Sequence, residues 1–567
     1  MTFYKRKYKI FLELTFLILF ILLLFKLFSS SENSVISASN NEIIFSRESG
    51  FYDNAFELEI KSVSGTVYYT LDGSVPNKGS LKYEAPILIS DATDNDNLFS
   101  MRTDTSTGFE TDEIERHSSD PPGYQVPNYN IDKATIIRAV SYDEAGNRSE
   151  VKTATYFVGF SSKNGYHGMN ILSIITDPSN LFDYEKGIYV TGKTYDDYVK
   201  EYRGNEYYWR EEFWTLWSAN YRNRGIKWER EALCQFFDEN NQPVLEQKCG
   251  IRIHGGASRG YNPKSLNIYA RKEYDGSPTL QYDLFGTGYY PSAVTLSQGG
   301  NDIRTKSKDY LVAASTKDLD FSTMSHEPYV LFLNGEYWGI YWLNENYDAR
   351  FLEYYYGVNR DNIIMIKEGI SEYGDEDDYK FYARMKEFCS QNDAAIEANY
   401  KKICELIDMD SYIDYYAVML YLGRNADWPS GNYELWRVKK SEKGAYGDGK
   451  WRWMLFDLNS PGFDIGFDSI GYTMDNDEMF KNLMANNTFR TQLFRKIKEL
   501  ASTNFNPEIM AQRINEYREF ICGPMRENDK RFFNDSSLVV FDQELEDLSN
   551  FFAERMAFLA PILDQYE

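Results

Sequence analysis

An apolar run from Leu14 to Phe25, preceded by Lys5, Arg6, Lys7 and Lys9, constrains everything that follows it. Counted from Ile10 to Phe28 the segment approaches the roughly 20 residues needed to cross a bilayer. Glu13 and Lys26 lie near its ends, where Lys26 can snorkel and Glu13 is the costlier charge. The basic cluster predicts a cytoplasmic N-terminus and about 540 residues on the other side of the membrane. A cleaved signal peptide, with small residues near Val35–Ser39, is the rival reading. The basic flank and the stretch with Ser29, Ser30, Ser31 and Ser34 read as anchor and tether rather than as a buried helix, so the expectation is a membrane-anchored cell-surface protein, or a secreted one if the signal is removed.

Composition narrows the chemistry. Lys plus Arg is 61 and Asp plus Glu is 86, so the net charge of −25 argues against a nucleic-acid partner. Hydrophobic residues are 43%, enough to bury a core. The five cysteines are too scattered for a disulfide framework, although Cys234 and Cys249 are placed to pair across a hairpin. None of the four histidines falls at helical spacing around a glutamate, which excludes a zinc-protease helix.

From Glu42 to about Val158 the pattern alternates with period two, and Asp72-Gly73 supplies a tight turn. Tyr68-Tyr69-Thr70-Leu71-Asp72-Gly73-Ser74-Val75-Pro76, the Ala134–Val140 strand and Asp143–Asn147 resemble a chitobiase/β-hexosaminidase C-terminal-type module, an immunoglobulin-like β-sandwich. A polar stretch between Asp91 and Lys133 reads as a long loop. Such a module implies a spacer, removable without loss of the following domain, with cell-wall carbohydrate as a lesser partner class.

Beyond residue 160, short apolar strands (Ile171–Ile175, Ile251–Ile253, Leu266–Tyr269, Val330–Leu333, Ile340–Leu343, Trp453–Phe456) mix with helical patterns, which predicts an α+β domain. Asp410-Ser411 reads as the cap of a helix running to about Gly423. It leads into Asp427-Trp428-Pro429-Ser430-Gly431-Asn432, where Pro429 and Gly431 forbid regular helix. A strand then ends in Asp457. The spacing resembles a protein-kinase catalytic loop followed by its metal-binding aspartate. A hydroxyl nucleophile needs a carboxylate at its proton, and a magnesium-bound polyphosphate needs oxygen ligands. Upstream, Gly255 and Gly256 open a loop suited to phosphate, followed by Lys264, and Glu345 is an acid available to hold that lysine.

Together with Asn170–Val190, Gly250–Arg271, Gly299–Asp302 and Val330–Glu345, these segments resemble the spore coat protein H (CotH) kinase family over residues 167–567. The resemblance implies an atypical protein-kinase-like fold using ATP and Mg2+ on protein hydroxyls. It implies Asp427 as catalytic base, Asn432 and Asp457 as metal ligands, and Lys264 with its partner Glu345, beside Gly255 and Gly256, at the nucleotide phosphates. Asn425-Ala426 replaces the usual His-Arg before the base, and Leu458-Asn459 follows Asp457 in place of Phe-Gly.

The chain thus reads as a cytoplasmic flank and anchor (1–30), a linker (31–43), the β-sandwich (44–158), a second linker (159–166) and the kinase-like domain (167–567). The competing function is an extracytoplasmic scaffold or adhesin with a non-catalytic kinase-like domain, because ATP is scarce outside a cell. Glycoside hydrolysis is a third class, with no particular carboxylate pair favoured.

Overall fold

The computed structural model describes residues 42–109, 124–163, 166, 168–202, 217–423, 427–459 and 463–567. The expected anchor, residues 1–30, lies outside these. Among the described residues no helix is long and apolar enough to cross a membrane.

Strand formation in the N-terminal module follows its alternation. Gly50–Tyr52, Lys152–Val158, Thr135–Tyr142, Thr66–Thr70 and Leu81–Lys82 form a sheet in that order. Two further two-stranded sheets pair Ile43–Phe45 with Ile60–Ser62 and Phe56–Leu58 with Ile87–Ile89. Leu58, Val67, Ile89, Ile137, Ala139 and Tyr156 meet in a core of their own.

The next seven strands close on themselves. In the order Asn170–Ile175, Arg230–Phe237, Pro243–Ile253, Leu266–Tyr269, Ala293–Ser297, Glu336–Glu345 and His326–Leu333 they form a barrel. The last strand pairs parallel with the first, setting Ile171 opposite Val330, and every other pair is antiparallel. Period-two alternation sends one set of residues inward. Leu172, Ile174, Cys234, Phe236, Ile251 and Leu266 therefore share one core. Ile171, Phe237, Val330 and Phe332 belong to a second core that includes the helices.

A four-stranded sheet, Ile370–Tyr373, Ile363–Lys367, Glu434–Val438 and Arg452–Met454 in spatial order, follows the barrel in sequence and packs with a helical layer. At the centre of that layer is Met409–Leu422, buried at every residue from Ser411 onward. A helix this apolar all round has only a protein interior to occupy. Its cap is Asp408, which accepts a hydrogen bond from the Ser411 amide at 3.4 Å, two residues before the predicted Asp410. The long helix Pro507–Phe533 packs on the strand Glu336–Glu345. There Gly339 (φ +101) is required, because a Cβ would lie 2.8 Å from the Phe532 ring.

The β module, predicted to be a removable spacer, packs directly against the barrel. Phe51 stacks on Phe157 at 4.4 Å, and Phe157 meets Phe237 at 5.6 Å and Phe332 at 5.0 Å, so module and barrel share an aromatic layer. The stretch read as a plain loop carries part of the joint. The Phe99 and Ser100 amides donate to the buried Glu336 carboxylate at 3.2 and 2.7 Å. Glu336 follows the turn Asn334-Gly335, which takes left-handed backbone at both residues. The sequence marks that turn, but nothing local shows that its next residue fastens two domains.

Candidate active site

The loop that leaves Met409–Leu422 presents Asp427 to solvent. Its Asp427 carbonyl accepts from the Gly431 amide at 2.5 Å, closing a turn before Asn432. Asn432 is 4% exposed, and its Nδ2 donates to the Asp457 carbonyl at 3.2 Å. Both Asn432 (φ 50) and Asp457 (φ 57) are left-handed although neither is glycine. Such strain persists where surrounding structure over-determines it, and it concentrates at functional sites. Glu368 (φ 50) is a third, and its carboxylate accepts from the Asn432 amide at 3.2 Å.

The structure therefore brings Asp427, Asn432 and Asp457 together. Burial pushes the Asp457 carboxyl up to about 7, helped by Asp309 and Asp427 and opposed by Lys367. Among the described residues no three His, Cys, Asp or Glu side chains are grouped as a metal cage. Two carboxylates crowding each other beside an amide nevertheless fit a hard divalent cation that completes its shell with water and phosphate.

Sequence reasoning missed two residues here. Lys367 lies 3.8 Å from Glu434, its direct partner across the strands, and 4.2 Å from the centroid of the Phe456 ring. It is within electrostatic reach of both Asp457 and His254, so it stands between the aspartates and the glycine loop. Asp309 receives the Leu458 amide at 2.6 Å and Asn459 Nδ2 at 3.1 Å, while the same nitrogen donates to Asp457 Oδ1 at 2.8 Å. Asp309 thus positions the turn that carries Asp457. The helix bearing it, Lys308–Thr316, is anchored by buried Asp302, which accepts from the Ser307 and Lys308 amides at 2.6 and 2.8 Å.

The glycine loop joins this site through a hydrogen-bonded path. Tyr261 donates to Asn301 at 2.7 Å, and the Asn301 amide donates to Asn459 at 3.3 Å. Arg224 donates to the Gly255 carbonyl at 3.0 Å, and Arg222 to that of Gly256 at 2.7 Å. Arg259 binds the Gly255 carbonyl at 2.8 Å. Burial, with Arg224 and Arg222, pushes Arg259 down to about 9. Among the described residues no carboxylate pairs with Arg224, Arg259 or Lys264. Positive charge packed this closely against a glycine loop is the electrostatic setting for an anion.

The predicted Lys264–Glu345 pair is not formed. Lys264 is fully buried and donates to the Arg259 and Tyr261 carbonyls at 2.6 and 3.0 Å, with its ammonium 3.7 Å from the centroid of the Tyr221 ring. Burial, Arg259 and Arg222 hold it well below the ordinary lysine range. Glu345 instead accepts from Ser325 N at 2.8 Å and Tyr355 Oη at 2.6 Å. The cause is register. Tyr341 is the residue that reaches the Lys264 carbonyl, at 3.1 Å, and Glu345 is four residues, roughly 13 Å, further along that strand. Lys264 buttresses the glycine loop from behind.

His254 opens the loop, and burial, then Lys367, Arg259 and Arg224, push its imidazole down to about 3. An unfolded chain takes up this proton near pH 6.5, the folded one only near 3. Folding stability is expected to be complete above pH 6.5 and to fall as the pH drops towards 3. In urea melts between pH 7 and 4, His254→Asn should lessen that slope, and an unchanged slope would count against this environment.

A closed barrel and a helical layer, with two aspartates and an asparagine linked through Asn459 and Asn301 to a cation-lined glycine loop, fit a kinase-like domain. The family model described as CotH kinase protein matches residues 251–559, more than half the chain, and one described as Fn3 associated matches residues 56–156. The chain belongs to the CotH kinase protein family. No curated protein matches it.

Proposed function

We propose that this chain is an extracytoplasmic protein kinase, anchored by its N-terminal segment, that transfers the γ-phosphoryl group of ATP to a protein hydroxyl with Mg2+. The observation that carries the reading is the pairing of Asn432 and Asp457, both strained into left-handed backbone, in a site joined through Asn459 and Asn301 to Tyr261 of the arginine-lined loop. Asn432 and Asp457 would hold the metal, which neutralises charge on the β- and γ-phosphates when bound. Arg224, Lys367 and the Gly255–Gly256 turn receive the phosphate oxygens. Exposed Asp427 accepts the proton of the acceptor hydroxyl as its oxygen bonds to the γ-phosphorus and the bond to the bridging β–γ oxygen breaks. ADP leaves with that oxygen, and the proton passes from Asp427 to water.

Thermal shift with ATP, with and without Mg2+, separates binding from transfer. Asp427→Asn is expected to keep the Mg2+-dependent shift and lose phosphoryl transfer by about 10²–10⁴-fold, the usual weight of a general base. Asp457→Ala should lose the shift itself. Parent-like transfer in both variants would remove the mechanism. No shift in the parent under either condition would favour a scaffold.

A further inference from the structure

Behind the Asp427 loop lies a cavity of about 290 Å³. Its walls include five aromatic rings, those of Tyr382, Tyr416, Trp428, Tyr433 and Trp453. Pro429 and the sulfur-bearing side chains of Met385 and Met479 add apolar surface, while polar atoms make up the larger part of the exposed wall. One edge is polar. Lys386 Nζ lies 3.4 Å from Asp477 Oδ1, and the Tyr382 and Tyr433 hydroxyls are 3.0 Å apart. Exposed Ser430 and Asn476 stand at the mouth.

This cavity is separate from the glycine loop, none of whose residues lines it. Its volume lies at the low end of the range for small-molecule pockets, about 300–1,000 Å³, and suits one large side chain. Aromatic walls favour edge-to-face and offset packing with another ring, and thioethers add sulfur–aromatic contact. The polar edge offers partners to a hydroxyl or ring N–H. Trp428, Pro429 and Ser430 are the three residues after Asp427, so whatever enters the cavity touches the loop that presents the proposed base.

We infer that this cavity takes an aromatic side chain, tyrosine or tryptophan, of the acceptor polypeptide and so sets which hydroxyl meets Asp427; the inference rests on the kinase reading for the acceptor's identity. An extended chain advances about 3.3–3.6 Å per residue, so offsets of two to four positions from the modified residue sample about 7–14 Å around the loop.

Peptide binding without nucleotide tests it. The probes are fluorescein-labelled nonapeptides with a central serine and one tyrosine at each of these offsets, on either side, against the all-alanine peptide. On the full chain, fluorescence polarisation is expected to show one placement binding at least tenfold tighter, with p-cresol competing. Met385→Trp fills the cavity from within, and Asn476→Trp covers its mouth from an exposed position. Each should return that peptide to the affinity of the alanine one, with the melting curve checking that the variant is folded. Equal binding of all peptides, or a preference that survives Asn476→Trp, overturns the inference. Because no ATP is present, aromatic selectivity without phosphoryl transfer would overturn only the kinase reading.

Discussion

Deleting residues 44–158 should leave a chain that does not melt cooperatively. The excised part supplies Phe51 and Phe157 to a layer shared with Phe237 and Phe332, so the barrel would expose a contiguous apolar face. Burial of each such ring contributes about 1.5–3 kcal/mol, comparable in sum with the net stability of a domain. The main-chain seam is lost as well. Ala134 N donates to the Gly335 carbonyl at 2.8 Å, and Tyr337 N to the Asp132 carbonyl at 3.0 Å. Circular-dichroism melts of the purified deletion measure this directly, and a soluble product with the parent's transition would show the module to be dispensable. Glu336→Ala is a graded version. It strands the amides of Leu98, Phe99 and Ser100 in the interface, at about 1–3 kcal/mol each.

Arg555→Leu should be the most damaging single substitution. This side chain is wholly buried in the helix Val539–Tyr566 and, among the described residues, pairs with no carboxylate. Its guanidinium donates to the Leu420 and Tyr421 carbonyls at 3.1 and 2.8 Å, where Met409–Leu422 ends and the Asp427 loop begins. It also donates to the Asp464, Ile465 and Phe467 carbonyls at 3.3, 2.8 and 2.9 Å. One cation thus ties the chain before Asp427 to the chain after Asp457, at the negative end of a helix dipole. Burial pushes it down to about 10, leaving it charged at neutral pH. Leucine would strand these carbonyls, and about 3–5 kcal/mol is expected to be lost. Arg555→Lys should rescue little, since an ammonium cannot serve two segments as a planar fork does. Urea denaturation gives the difference, and a lysine variant as stable as the parent would argue against the clamp.

The aspartates of the site were legible because their signals are local. Pro429 and Gly431 break the helix between Asp427 and Asn432, and an apolar strand delivers Asp457. Lys367, Asp309 and Arg224 carry no such mark. Each is an ordinary charge in a strand, a first helical turn or a loop, and gains meaning only when separate segments meet. Glu345 misled for the complementary reason. Strand composition shows which faces are apolar, but sequence does not fix how far one strand slides along another, and that offset separates Glu345 from Lys264. The family resemblance located the glycine loop and Lys264, while the hydrogen bonds turn that lysine from a ligand of phosphate into a prop. In the β module, alternation and the Asp72-Gly73 turn gave the strands, whereas the fit of Phe51 against the barrel depends on a surface nearly two hundred residues away.

The position of Arg555 bears on biogenesis. Translation supplies the N-terminal parts first, so barrel and glycine loop can assemble while synthesis continues. The Arg555 clamp between the chain before Asp427 and the chain after Asp457 forms only when the final helix emerges. A nascent or prematurely terminated polypeptide would therefore carry the two loops without the cation that joins them.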